Sequence, residues 1–433
     1  MAGPRTAYWS GNVRWEPVEV VRPAGSDDLR ATLARARAHG RSVRPAGSLH
    51  SFTPLCQTDG VSLDLGAFTG IRGIDGDVVT VGAGTRLHEL NPALDGIGRA
   101  IANLGDSDRQ TISGAISTGT HGTGAQFGGL ASQVQWMTLM TASGDEVTCS
   151  AEVEPDLFRA ALVGLGAFGV VTELGLRTVP AFGLDQAVAP DSFTDIMATL
   201  DQRLAADHFE FFWFPLSDVA QSKTTRRMAP GEPTSPLSPA RHYVEDVVVE
   251  NAALGAMCRI GRRRPSALPR LHALVGQVMS PRVSSDASYR MFATTRSVRF
   301  LESEYAIPRD ALPAVLDAVG ELARRLPVGP AFPVEVRFAA ADDVWLSTGY
   351  QRENAYVAIH QYVGMPHEEY FADFAEICSA VGGRPHWGKM HPLGAREFEA
   401  LYPRFPQVAA LRREVDPDGL FLNDHLRLVL GED

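Results

Sequence analysis

Between Asn103 and Gly129 the chain reads NLGDSDRQTISGAISTGTHGTGAQFGG, rich in glycine, serine and threonine and almost empty of large side chains. A packed helix is not expected from such a run. It predicts irregular backbone passing close to a ligand, because glycine lacks a side chain and offers N–H groups at positive φ. The hydroxyls of Ser113, Ser117, Thr118 and Thr120 add neutral donors, so the run is able to surround a phosphate or pyrophosphate without a lysine. It fits neither GxxxxGK[ST] nor GxGxxG, and a nucleotide cradle of another kind is required. A glycine-rich surface loop is the plainer alternative that composition leaves open.

A chain of 433 residues exceeds one hydrophobic core, since cores stop growing near roughly 250 to 300 residues, and two or three domains are expected. The segment SDDLRATLARARAHG predicts a helix with Ser26 as N-cap, an acidic first turn and Gly40 as terminator. Short strands and helices then alternate, which reads as an α/β half ending near Pro180. A second unit follows, with strands in FEFFWFPL, EVRF and AYVAIHQYV, helices near 194–206, 309–325 and 367–381, and a Pro-rich loop from Met228 to Pro239. The tail from about 397 predicts a helix, a turn at Asp416 to Gly419 and a short terminal element.

The net charge of -11 and pI near 5.6 argue against a nucleic-acid partner, which needs clustered Lys and Arg. The densest basic run, Arg259 to Arg264, reads as a solvated loop or helix end. Cys56, Cys149, Cys258 and Cys378 are scattered, so neither a disulfide scaffold nor a metal site is suggested and a reducing cytoplasm is expected. No stretch of about eighteen apolar residues appears, and export and membrane spanning are not expected.

Other candidates for chemistry lie outside the glycine-rich run. His50 sits in the loop RPAGSLHSF after small Gly47 and Ser48, where a lone histidine is also compatible with a plain polar loop residue. Glu335 and Arg337 alternate along one strand and so share a face. Such a pair suits a solvated sheet surface, or, if buried, a polar pocket for hydroxyl-rich substrates. His360 lies in another strand, and His386 and Lys389 follow a proline in RPHWGKMH. For His386, packing beside Trp387 is the bland alternative.

Six motifs occur in order across nearly the whole chain: GSLHSF, NLGDSDRQTISGAISTGTHGTG, GLGAFGVVTE, FPVEVRF, RPHWGKMH and DPDGLFLNDHL. Together they resemble the sugar-lactone and alditol oxidase family (gulonolactone, arabinonolactone and alditol oxidases) of the vanillyl-alcohol-oxidase-type flavoproteins. The resemblance implies an α+β protein with a two-subdomain PCMH-type FAD-binding domain over 11–180. A cap domain over 181–395 would carry an antiparallel sheet covered by helices, and residues 396–433 would return to the FAD domain.

In such relatives the histidine of G-x-x-H-S is bonded to the flavin 8α-methyl carbon, and that position here is His50. The resemblance makes its neighbours Arg44, Ala46, Gly47, Ser48, Leu49 and Ser51 cofactor contacts, together with Gly105, Asp106, Ser107, Gln110, Thr111, Ser113 and Gly114. The run Ser117, Thr118, Gly119, Thr120, His121 and Gly122 would line the pyrophosphate. Gly169, Val170 and Val171 would approach the adenine side, and Asn423 would come from the C-terminal segment. No cysteine lies in 103–129, so a second, cysteinyl attachment is not expected.

The implied reaction is oxidation of a CH–OH group by hydride transfer to flavin N5. Lys389 and Arg337 would stabilise negative charge, with Glu335 accepting from substrate hydroxyls and His360 and His386 as further substrate contacts. Asp106 stands where relatives have a serine, which favours strong hydroxyl donors or a cationic group and disfavours acidic substrates and linear alditols. Gly105 leaves the flavin open to dioxygen, so an oxidase releasing hydrogen peroxide is expected. The alternatives are a tailoring enzyme acting on a sugar or nucleoside hydroxyl in a natural product, and a dehydrogenase passing electrons to cytochrome or quinone.

Overall fold

The computed structural model describes residues 6–238, 251–294 and 298–432. The first helix, Ser26–Ala38, buries Leu29, Thr32, Leu33 and Ala36, the three- and four-residue spacing of one helical face. Its N-cap is Gly25 rather than Ser26. The Ser26 hydroxyl donates instead to Glu146, and the Asp28 carboxylate accepts from the Ala24 N–H, so a first-turn acid serves the helix start.

This helix packs on a three-stranded parallel sheet ordered Glu19–Val21, Val61–Asp64, Val43–Ala46. Leu420 and Phe421 from the C-terminal segment complete the same core, and the Val43 N–H donates to the Leu420 carbonyl at 2.8 Å. The other sheet of this half has five strands, ordered Glu146–Ser150, Val134–Met140, Val170–Arg177, Val78–Gly82, Ile71–Asp75. All its pairings are antiparallel, which corrects the α/β reading. For the pair Val134–Met140 and Glu146–Ser150 the reason is visible at Ser143–Gly144–Asp145, where a tight turn with Gly144 at φ +91° returns the chain beside itself.

A helix does form inside the glycine-rich run, contrary to expectation. Ile112–Ser117 buries Ile112, Ala115 and Ile116, and the Thr111 hydroxyl caps it by accepting from the Gly114 N–H. Two isoleucines and an alanine on one face are enough to seat six residues.

The second half is built on eight antiparallel strands. Their order is Arg282–Ala287, Gly183–Ser192, Val219–Arg227, His208–Trp213, Val334–Ala339, Asn354–Tyr362, Phe300–Pro308, Arg384–Pro385. Helices Leu312–Arg325 and Glu368–Ser379 bury Val315, Leu316, Val319 and Phe374 in the common core, Phe374 meeting Tyr305 edge to face. The expected helix near 194–206 is two, Phe193–Ala198 and Leu200–Arg203. The expected helix of the tail is also two, Ala395–Leu401 and Phe405–Val415, because Pro403 forces Tyr402 out of helical geometry. The Arg259–Arg264 run closes helix Asn251–Arg263. Residues 228–238 form no helix or strand, and Pro239 lies outside the described residues.

Two seams bring the halves together. Gly124, at φ +134°, donates its N–H to the Phe338 carbonyl at 2.8 Å, and a Cβ there would lie 2.8 Å from the Asp207 carbonyl oxygen. The His50 loop docks on the turn after Pro385: Phe52 N–H donates to Gly388 at 2.7 Å and the Thr53 hydroxyl to Trp387 at 2.8 Å.

Candidate active site

Two cavities meet at His50. The first, about 350 Å³, is lined from both sheets of the first half and by the middle of the glycine-rich run, from Gln110 to Thr118. The second, about 610 Å³, lies against the eight-stranded sheet. Ser48, His50, Ser51, Arg86, Gln110 and Thr118 line both.

The first cavity gathers Arg44, Ala46, Gly47, Leu49, Thr111, Ser113, Gly114, Ser117, Gly169 and Val171 around those shared residues. Leu49, just before His50, adopts φ +57°, a left-handed conformation that costs a leucine energy and turns the loop so that His50 faces the junction. The His50 ring stacks on Trp9 at 6.2 Å between centroids. Burial first, then Lys389, Arg109 and Arg86, push the His50 pKa below its ordinary value, so the ring is neutral near pH 7.

Arg44 reaches this cavity, yet its guanidinium donates to the carbonyls of Leu55, Gly166, Leu165 and Phe421. It ties the His50 loop, the GLGAFG turn and the C-terminal segment to one another. Val170 is fully buried in the core beside the cavity, and Gly119 and Gly122 lie outside both linings. Asn423 is also outside: its amide donates to Pro54 and Gln57 at 2.8 Å each, and its oxygen caps the last helix.

The second cavity brings together Gly105, Asp106, Ser107, Thr120, His121, Glu335, Arg337, His386 and Lys389. Glu335 and Arg337 are 4% and 8% exposed, so their shared face is not a solvated surface. Arg337 lies 2.5 Å from Glu335, 2.8 Å from Glu210 and 3.4 Å from Asp106. Burial lowers its pKa, but Glu335, Asp106 and Glu210 outweigh burial and push it well above the ordinary value, fixing the charge. Lys389 lies 2.5 Å from Glu302. Burial raises the Glu302 carboxyl, and Lys389 and His360 together overcome it and hold it at about 2.

His386 does not pack on Trp387. Trp387 stacks on Phe398 at 4.3 Å, while His386 lines the cavity with Nδ1 accepting from the Gly388 N–H at 3.0 Å. Burial pushes its pKa down to about 4. His360 sits behind the lining, 3.5 Å from Glu302 and 3.9 Å from Glu335. Sequence reasoning missed Glu302 and Glu304, which line this cavity from the strand FLESEYAIP, and Glu210 behind Arg337. The signal was present: Glu302 and Glu304 alternate in an apolar strand just as Glu335 and Arg337 do. Arg22, Thr69, Gly84 and Arg86 in the first cavity were missed as well.

Comparison with known sequences decides the family. Residues 174–429 match the D-arabinono-1,4-lactone oxidase family, and residues 17–150 match the FAD binding domain family. The chain belongs to the D-arabinono-1,4-lactone oxidase family. It is 41% identical, over 99% of each chain, to a Mycobacterium tuberculosis protein named L-gulono-1,4-lactone dehydrogenase. It is 32% identical to an alditol oxidase of a Streptomyces species, over 98% of each, and 32% identical to an L-gulonolactone oxidase of Scyliorhinus torazame, over 96% of each. A cholesterol oxidase from B. sterolicum shares the fold, with a TM-score of 0.83 at 16% identity over 98% of this chain and 96% of that one.

Membership makes the chain an FAD-dependent oxidoreductase acting on CH–OH donors, and the α+β expectation holds. The first cavity fits FAD. It is lined by hydroxyls and glycines with Arg22 and Arg86 as cations, and the Ser48 hydroxyl is buried there with no protein partner, as expected of a group that bonds a ligand. Among the described residues no helix is long and apolar enough to cross a membrane.

Proposed function

We propose that the chain oxidises a CH–OH group of a sugar lactone or closely related polyhydroxylated ring, with FAD bonded to His50 and dioxygen as acceptor, releasing hydrogen peroxide. The observation that carries this reading is His50 standing at the junction between a cavity suited to a dinucleotide and one lined by Glu335, Arg337 and Lys389. Bound FAD supplies the hydride acceptor.

The protein's own part is positional and electrostatic. Neutral His50 presents the nitrogen lone pair that bond formation to carbon requires. Arg337 and Lys389 are fixed cations for the charge that develops as the substrate hydroxyl loses its proton. Glu335 and Asp106 accept from the remaining hydroxyls, and their carboxylates repel an acidic substrate. Arg44 acts as the clamp of the His50 loop rather than as a direct cofactor ligand. Names of relatives support lactone substrates. The four cysteines are all free thiols, which suits a reducing cytoplasm.

A second reading, a dehydrogenase using another acceptor, is favoured by the name of the 41% identical relative. Gly105 favours dioxygen. Anaerobic mixing with a panel of sugar lactones, alditols and nucleosides tests the substrate, and re-aeration with peroxide detection tests the acceptor. Bleaching of the flavin by lactones followed by stoichiometric peroxide supports the proposal. No bleaching by any lactone contradicts it.

A further inference from the structure

Seven ionisable side chains, Lys223, Glu210, Arg337, Glu335, His360, Glu302 and Lys389, run in one line across the eight-stranded sheet. Lys223 and Glu210 are register partners on adjacent strands, with Nζ 2.8 Å from Oε1. The other Glu210 oxygen accepts from Arg337 Nε at 2.8 Å, and Arg337 pairs with Glu335 at 2.5 Å. His360 stands between Glu335 at 3.9 Å and its register partner Glu302 at 3.5 Å. Glu302 closes the line on Lys389 at 2.5 Å. Five neighbouring strands supply six of these groups, each on the same face, because strand side chains alternate and adjacent strands lie about 4.8 Å apart.

The cavity touches only part of the line. Arg337, Glu335, Glu302 and Lys389 line it, whereas Lys223, Glu210 and His360 stand behind. Buried charges are costly and their removal in favour of apolar groups is often neutral, so a line this long serves something other than stability. Lysine in particular has a flexible four-carbon stem and needs a partner to hold its ammonium in one place.

We propose that Glu302 and Glu210 are positioning residues for the oxidation: Glu302 holds the Lys389 ammonium, and Glu210, anchored by Lys223, holds the Arg337 guanidinium. This rests on the reading of Lys389 and Arg337 as the cations that meet substrate and flavin.

The test uses FAD-loaded protein carrying Glu302→Gln, with Glu302→Asp as the conservative variant and Lys389→Ala as the reference. The first readout is equilibrium binding of sulfite to the flavin, which needs no turnover and is favoured by positive charge held beside the ring. Displacement of the ammonium weakens sulfite binding by about tenfold in Glu302→Gln, with partial recovery in Glu302→Asp. Simple loss of a neighbouring negative charge would tighten it instead. The second readout is kinetic: Glu302→Gln lowers kcat about 100-fold with KM little changed, the scale of a misplaced catalytic group.

Lys223→Met, remote from the cavity, slows turnover about tenfold and adds nothing to Glu210→Gln, since both act through Arg337. Unchanged or tighter sulfite binding in Glu302→Gln overturns the inference while leaving the function intact, provided Lys389→Ala weakens it. If Lys389→Ala leaves sulfite binding and flavin reduction at parent levels, the role of Lys389 itself is wrong. Should Glu302→Gln not retain FAD, Glu302→Asp and Lys223→Met decide by the same readouts.

Discussion

Nε2 of His121 lies 3.1 Å from a Glu304 carboxylate oxygen, and its Nδ1 lies 2.8 Å from the Gly122 carbonyl. The His121 ring stacks on Tyr356 at 3.6 Å, which fixes both nitrogens against these partners. Burial raises the Glu304 carboxyl, but His121 overcomes it and holds it below the usual carboxylate range. Replacing His121 by alanine leaves a buried charge without its partner, which costs about 3–5 kcal/mol. Urea unfolding of His121→Ala checks this, and the double variant His121→Ala/Glu304→Leu recovers most of the loss. Equal losses in the single and double variants would show that the two do not act as a pair.

Acid sensitivity follows from histidines buried in the neutral form. Burial pushes His386 and His425 down to about 4 and His391 to about 3. Each titrates near 6.5 when unfolded, so the unfolded chain binds more protons between that value and the folded pKa. Their contribution is complete above about pH 6.5 and is lost as pH falls toward 4. Glu210, with burial overcome by Lys223 and Arg337, and Glu302 are both held at about 2, so their contribution is lost only below about pH 4.5. Unfolding midpoints are expected to fall between pH 7 and 5, while Glu210 and Glu302 stay ionised; Asp342, whose carboxyl burial raises to about 6, takes up a proton in the folded state over this interval and offsets part of the loss from the three histidines. A flat midpoint over that interval would contradict the burial of these rings.

Gly105 is the residue proposed to favour dioxygen as acceptor. A Cβ there would lie 3.0 Å from the His121 carbonyl oxygen and 3.3 Å from the Thr120 methyl, at the edge of the second cavity. Gly105→Ala is expected to slow reoxidation by dioxygen about tenfold, equivalent to about 1.4 kcal/mol on that barrier, with flavin reduction by substrate unchanged. Stopped-flow measurement of the two half-reactions separates them. Undiminished reoxidation would remove Gly105 as the determinant.

Lys389→Ala is expected to slow flavin reduction by a factor on the order of 10² to 10³ while weakening substrate binding far less, as for a donor that acts mainly in the transition state. Single-turnover rates across substrate concentration give both quantities. A loss confined to binding would make Lys389 a substrate anchor only.

The parts legible in sequence were those whose residue types are unusual where they stand. The run from Asn103 to Gly129 pointed to backbone passing close to a ligand, and Glu335 with Arg337 on one strand face pointed to either a solvated sheet surface or a polar pocket, a choice that their burial decides for the pocket. Glu210, Glu302 and Glu304 were not picked out, because a carboxylate in FEFFWF or FLESEYAIP is also what a half-solvated strand carries; only strand order makes them neighbours of Arg337 and Lys389. Arg44 and Asn423 show the opposite case. Arg44 stands just before GSLHSF and Asn423 lies in DPDGLFLNDHL, yet their donors go to main-chain carbonyls that hold segments far apart in sequence, a tertiary relation no local pattern encodes. The antiparallel five-stranded sheet escaped the α/β reading because alternation of elements does not specify strand direction.

The most direct test of the account is to denature the purified yellow protein in acid and determine, by intact mass and peptide mapping, whether FAD stays with the peptide containing His50. The account predicts a flavinylated His50 peptide in the parent and acid-extractable FAD in His50→Ala. FAD released from the parent, or retained covalently in His50→Ala, would contradict it.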